Sequence, residues 1–223
     1  MNSDLIIVLI IVALPLLAQL KIKTTYNKYS KIINNKQLYG KEAAQKILDG
    51  NDLNKVQVFK IPGSLTDHYD PRNKSVSLSN SIYEQNSISS IAVAAHECGH
   101  AIQDKIGYSF MRFRSKMVPV VNITSSISSI FIMIGFFTEF VGFIRIGILL
   151  LSVGLLFQLI TLPVEFDASR RAKEELDRLG LIDEKESKGV KKVLNAAAFT
   201  YVAGFLASAL QIVRLVLISR RRN

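Results

Sequence analysis

The sequence predicts a mostly α-helical polytopic membrane protein, with three or four transmembrane helices, a small β-sheet and one short helix with a polar centre at the membrane face. Three observations carry this. Of the 223 residues, 49% are hydrophobic. They gather into four long runs, at residues 5–20, 117–137, 146–164 and 196–218, each approaching the roughly 20 residues that cross a bilayer. Between the runs the chain is polar and basic, with a formal net charge of +10.

The first run is the shortest and contains Pro15. Its only preceding side-chain charge is Asp4, and Lys21 and Lys23 follow it. A cleaved signal peptide has the opposite polarity, with its positive region first, so a retained anchor is expected. The two lysines can snorkel to lengthen it. Cys98 is the single cysteine, which rules out an intrachain disulfide and suits a reducing compartment. The lysines and arginines crowd beside the apolar runs, where anionic lipid attracts them. No recognition motif or aromatic-basic interleaving points to nucleic acid, so the expected partner of this charge is membrane lipid.

Charge also sets the expected orientation. Lys21, Lys23, Lys28, Lys31 and Lys36 follow the first run, and Lys105, Arg112, Arg114 and Lys116 precede the second. Arg170, Arg171 and Lys173 follow the third. The positive-inside rule places residues 21–116 and 165–195 in the cytoplasm, with the short link from Thr138 to Arg145 outside. The tail disagrees. A full fourth crossing puts Arg220, Arg221 and Arg222 outside, so a re-entrant or interfacial fourth run is the alternative, with Gln211 and Arg214 inside it. The whole chain is expected to form one membrane-embedded domain of the cell membrane.

The chemistry lies in His96-Glu97-Cys98-Gly99-His100, an H-E-x-x-H segment inside a Pro-free stretch, residues 88–102, whose flanks carry no charge. Residues four apart share a helix face, so His96 and His100 can reach one metal ion with Glu97 beside a water on it. Burying these ionisable groups without partners is costly, and a metal relieves that cost. Zinc with two imidazoles needs a third protein ligand and an open position. The implied reaction is metal-assisted hydrolysis, most often of a peptide bond. Cys98, about half a turn away, is expected to pack.

A third histidine at the longer zincin spacing is absent, because Gln103 and Ile106 stand where that pattern has Gly and His. A carboxylate is therefore required. Glu165, directly after the third run, is the leading candidate, and Asp167 competes as ligand or as acceptor for a ligand N–H. Two crossings separate it from the H-E-x-x-H helix, which returns the chain to the same face. Pro163 suits the first turn of a helix starting there, and Gly180 suits its end. Glu139 falls in the outer turn, while Glu174, Glu175, Glu184 and Glu186 read as solvated faces.

Upstream, residues 56–61 alternate and read as a strand. Residues 65–69 are expected to pair with 75–78 across a turn-rich link, giving a small antiparallel sheet. Its edge could hold an extended peptide. Within Thr66-Asp67-His68-Tyr69-Asp70, His68 or Tyr69 could stabilise an oxyanion and Asp67 could orient a ligand; a hydrogen-bonded turn is the more ordinary role. Ser79, Asn80, Asn86 and Ser87 are candidate helix N-caps. Ala196, Thr200, Gly204 and Ser208, four apart, suit close helix packing, either internal or as self-association through the last helix. Asp183 and Glu186 form a capping-box pattern.

These residues carry a resemblance. The stretches Leu65 to Pro71, Val93 to Gln103 and Leu162 to Ser169, in this order around an apolar helix pair, resemble the YugP-like family of neutral zinc metallopeptidases of bacterial membranes. The resemblance spans nearly the whole chain. It implies a zincin-like catalytic helix, Zn2+ held by His96, His100 and Glu165, Glu97 as catalytic acid/base, and a protein or peptide substrate. An inactive metal-binding membrane scaffold is the alternative. More distantly the chain is similar to membrane zinc proteases in which the glutamate ligand opens an E-x-x-A-D motif. Ser169 stands where that motif has Asp, leaving Asp167 or Asp67 to support the ligands.

Overall fold

The computed structural model describes residues 3–221. It is predominantly helical, with seven helices and three strands: α1 Ser3–Tyr29, α2 Gly40–Asp49, β1 Gln57–Ile61, β2 His68–Asp70, β3 Ser75–Ser79, α3 Asn80–Tyr83, α4 Ile88–Lys105, α5 Ser109–Phe137, α6 Val141–Arg178 and α7 Glu184–Arg221. Four of them, α1, α5, α6 and α7, are long and apolar enough to cross a membrane, and they contain the four hydrophobic runs. The residues fall into two compact units, and α1, α5, α6 and α7 contribute to both.

The first unit comprises Met1–Gln19, Arg112–Pro163 and Thr200–Asn223. Large apolar side chains such as Leu9, Val12, Leu16, Ile123, Met133 and Leu149 stand exposed on it, as expected of surfaces solvated by lipid rather than water. Its polar groups pair with one another. Gln158 Nε2 donates to Ser208 Oγ at 2.9 Å. Arg214 Nε lies 2.9 Å from Asp4 Oδ1, so the arginine ends in an ion pair. The fourth run is part of an unbroken helix. A Cβ built on Gly204 meets nothing within 4 Å, so no close helix seam forms at this glycine of the small-residue stripe.

The second unit comprises Leu20–Met111 and Val164–Phe199. Its core gathers Ile47, Leu48, Leu78, Ile82, Ile91, Leu176 and Val190, all fully buried. Nothing in the long hydropathy runs announces α2, a short amphipathic helix that buries Ala43, Ala44, Ile47 and Leu48 on one face. The expected antiparallel pairing across the turn-rich link is present, with His68–Asp70 against residues 75–77, but β1 joins this hairpin in parallel and not antiparallel. The order of the sheet is β1-β3-β2, with β1 parallel to β3 and β2 antiparallel to β3. Strand β3 is buried at every position, and a strand buried on both faces takes the centre; residues 62–67, between β1 and β2, carry the chain to the far side before the hairpin brings β3 back between them.

Two expectations about helices also change. Pro163 lies inside α6, which runs unbroken from Val141 to Arg178, so Glu165 sits mid-helix and not near a helix start. A proline costs the ladder one bond, yet apolar helices of membrane proteins tolerate it where neighbouring groups compensate. Glu186 is buried, not solvated. It accepts the Asp183 N–H at 3.0 Å and returns the capping box through the Glu186 N–H to Asp183 Oδ1 at 2.8 Å. Its other oxygen accepts the Asn35 N–H at 2.7 Å. Glu175 likewise accepts from Asn51 Nδ2 at 2.6 Å. Gly180, with φ of +57°, lies just past the end of α6, where the left-handed conformation favours glycine.

Candidate metal centre

Helix α4 begins where Ser87 caps it, its hydroxyl accepting the Ser90 N–H at 3.1 Å. The helix is buried along most of its length, including Ile91, Ala94, Ala95, Cys98 and Ala101. That burial follows from small and aliphatic residues on every side of it. Gly99 brings α4 and α6 together: a Cβ there would stand 2.5 Å from the Ala168 carbonyl oxygen. This close approach sets the H-E-x-x-H turn of α4 against the α6 turn that carries Glu165.

His96, His100 and Glu165 converge, with one ligand atom from each inside a 4.8 Å cluster. Glu165 Oε2 lies 3.2 Å from His96 Nε2 and 3.6 Å from His100 Nε2. Tetrahedral zinc with bonds near 2.05 Å separates its ligand atoms by about 3.3 Å, so the two carboxylate–imidazole edges bracket the value a zinc ion requires, within a cluster no wider than 4.8 Å. Two imidazole nitrogens and one carboxylate oxygen are also zinc's usual donors. The residues therefore fit the ion. Glu165 and His100 are buried and His96 nearly so.

Glu97 lies on the same turn of α4, buried, and its carboxylate makes no hydrogen bond among the described residues. Burial raises its pKa above the ordinary carboxylate value, with the two imidazoles pulling the other way. For His100, burial opposes the charged form, but the Glu165 carboxylate outweighs it and leaves the pKa raised. Cys98 packs as expected, buried on the opposite side of α4 with its thiol directed at the Ala44 carbonyl, 3.6 Å away.

The remaining nitrogen of each histidine also has a partner. Ser169 Oγ is 3.2 Å from His96 Nδ1, so a hydroxyl supports this ring where the distant motif has a carboxylate. Gln103 Oε1 is 3.0 Å from His100 Nδ1. Asp167 touches neither ring; its Oδ2 accepts from Gln103 Nε2 at 2.9 Å and from Arg171 Nε at 2.7 Å. Gln103 is the residue missed at the sequence level, although its position three after His100 places it on the same helix face.

The polar stretch before β3 has its own bonds. Asp67 accepts the Ser79 N–H at 2.7 Å and the Ser79 hydroxyl at 3.0 Å. Burial raises the Asp67 pKa, with those bonds opposing it. Tyr69 donates its hydroxyl to Asp104 Oδ2 at 2.7 Å. His68 is exposed, its Nδ1 2.9 Å from the Thr66 carbonyl. The Asp67 and Tyr69 bonds tie this stretch to β3 and α4; no bond links Asp67, His68 or Tyr69 to the three converging side chains among the described residues.

The chain thus combines four helices long and apolar enough to cross a membrane with a cluster of His96 and His100 from α4 and Glu165 from α6 that could hold a metal ion, the marks of a membrane protein with a candidate metal site. Residues 4–220 match the family described as "Putative neutral zinc metallopeptidase", and the chain belongs to that family. It is 45% identical over 201 residues, covering 90% of this chain and 89% of the relative, to the "Putative membrane protease YugP" of Bacillus subtilis (strain 168). No solved structure matches it.

Proposed function

We propose that this chain is a zinc endopeptidase of the cell membrane that cleaves protein substrates at the cytoplasmic face, with His96, His100 and Glu165 as zinc ligands and Glu97 as general base and acid. The observation that carries this reading is the shared Glu165 oxygen 3.2 and 3.6 Å from the two Nε2 atoms of the H-E-x-x-H pair. The second unit, Leu20–Met111 and Val164–Phe199, nearly coincides with the basic segments assigned to the cytoplasm from charge alone.

His96, His100 and Glu165 would hold the zinc, which would supply a Lewis acid for the scissile carbonyl and acidify a water toward a pKa of about 7. Glu97 takes the proton of the attacking water and delivers it to the departing amine. Its lack of hydrogen-bond partners leaves both oxygens free for that transfer, and the burial that raises its pKa brings it nearer to operating pH. Ser169 and Gln103 hold the two rings from behind. The buried helix around the site limits the access of bulk water.

The test is Glu97→Gln, assayed on a fluorescently labelled unfolded protein in detergent or vesicles. Zinc content should stay at wild-type stoichiometry while kcat falls by about 10²–10⁴. A Glu97→Gln protein with wild-type turnover overturns the assignment. A wild-type protein that holds zinc but cleaves nothing favours the scaffold.

A further inference from the structure

Gln103 is fully buried between the catalytic helix and α6, and its amide is held at both ends. Nε2 points at two groups that can only accept: the Val164 carbonyl at 2.8 Å and the Asp167 carboxylate at 2.9 Å. An amide nitrogen donates and an amide oxygen accepts. A flipped amide would aim its oxygen at a carbonyl and a carboxylate, so the orientation has one solution. Oε1 must then face His100 Nδ1, 3.0 Å away, and it can only accept a proton from that nitrogen.

This fixes the ring. With Nδ1 as donor, a neutral His100 carries its lone pair on Nε2, the atom aimed at the Glu165 oxygen. The Asp167 carboxylate is in turn held by Arg171 Nε at 2.7 Å and by Arg170. We propose that Gln103, locked by Val164 and Asp167, is a positioning residue that sets the His100 ring for metal binding through Nε2. Asp167, weighed from the sequence as a direct partner of a histidine, acts one residue removed, through the Gln103 amide. The inference rests on the proposed zinc site and adds to it the device that makes one imidazole ready before a metal arrives. Partners of this kind are worth about 10- to 100-fold in metal affinity where they contact a ligand histidine directly.

Zinc affinity of the full-length protein in detergent, measured by chelator competition, tests this without reference to cleavage. Gln103→Met keeps the volume and removes the acceptor; it should weaken zinc binding about 10- to 100-fold. The charge-conserving swap Gln103→Glu with Asp167→Asn returns an acceptor to His100 Nδ1 and a donor at position 167, while giving up the bond to the Val164 carbonyl. It should recover most of the lost affinity, which a merely space-filling role would not. Wild-type affinity in Gln103→Met overturns the proposal, as does a swap no tighter than Gln103→Met. If Gln103→Met fails to fold, a well-folded swap that binds zinc at least ten-fold weaker than wild type overturns it too. A wild-type chain that takes up no zinc sinks the metal site itself; a wild-type chain that binds zinc beside an unaffected Gln103→Met sinks only the positioning role.

Discussion

Gly99→Ala probes the spacing on which the metal centre depends. The added methyl would lie 2.5 Å from the Ala168 oxygen and 3.1 Å from its carbonyl carbon and Cα, where ordinary contact begins at 3.4 Å. Both clashing groups are backbone of packed helices, so no side chain can swing away. The α4 and α6 backbones must part locally by about 0.9 Å, an overpacking that costs about 1–3 kcal/mol. For a chain of this size that is a fall in Tm of roughly 2–10 °C. Glu165 rides on α6 one turn before Ala168. The same displacement would carry its Oε2 from 3.2 and 3.6 Å toward about 4 Å or more from the imidazoles, past the roughly 3.3 Å edge of tetrahedral zinc. Thermal unfolding with and without zinc, beside chelator competition, reads both effects. Zinc affinity should drop at least ten-fold and zinc should protect the variant less. A Gly99→Ala protein with wild-type Tm and wild-type zinc affinity would refute the argument that this contact sets the ligand spacing.

Other substitutions separate the roles of individual side chains. Glu165→Ala should lose stoichiometric zinc, and its Tm should no longer respond to EDTA, whereas chelation should lower the wild-type Tm because a ligand at 100 times its Kd stabilises by about 2.7 kcal/mol. Unchanged zinc content in this variant moves the third ligand elsewhere. Ser169→Ala removes the hydroxyl at His96 Nδ1 and should weaken zinc binding about ten-fold; equal affinity would show that the contact is incidental. Tyr69→Phe deletes a hydrogen bond to a carboxylate and should cost about 1–2 kcal/mol of stability with kcat unchanged. A hundred-fold loss of kcat in that variant would restore Tyr69 as an oxyanion donor.

Much of this architecture was legible because its signals are local. Apolar length announces α1, α5, α6 and α7, and the four-residue histidine spacing announces the side of α4 on which His96 and His100 meet Glu165. Glu165 followed from charge on either side of a helical hairpin. The rest depends on contacts remote in sequence. The turn-rich link did announce the β2–β3 hairpin, but the parallel pairing of β1 with β3 was hidden because no local pattern reveals which strand takes the middle. Ser169 looked like a deficit beside a motif that carries aspartate, until the fold put its hydroxyl at His96. Gln103 stood at a readable helical spacing, yet its significance comes from Val164 and Asp167, some sixty residues later. Pro163 misled because the rules of water-soluble helices place a proline at an element's beginning, whereas α6 continues through it.

The clasp between Asp4 and Arg214 has a consequence for parity. Asp4 opens α1 and Arg214 lies in the closing turns of α7, so these helices run antiparallel and the first and last stretches of the chain meet at one level. Four helices arranged so, each crossing in turn, would traverse a bilayer an even number of times. A reporter fused to either terminus should then register a single compartment.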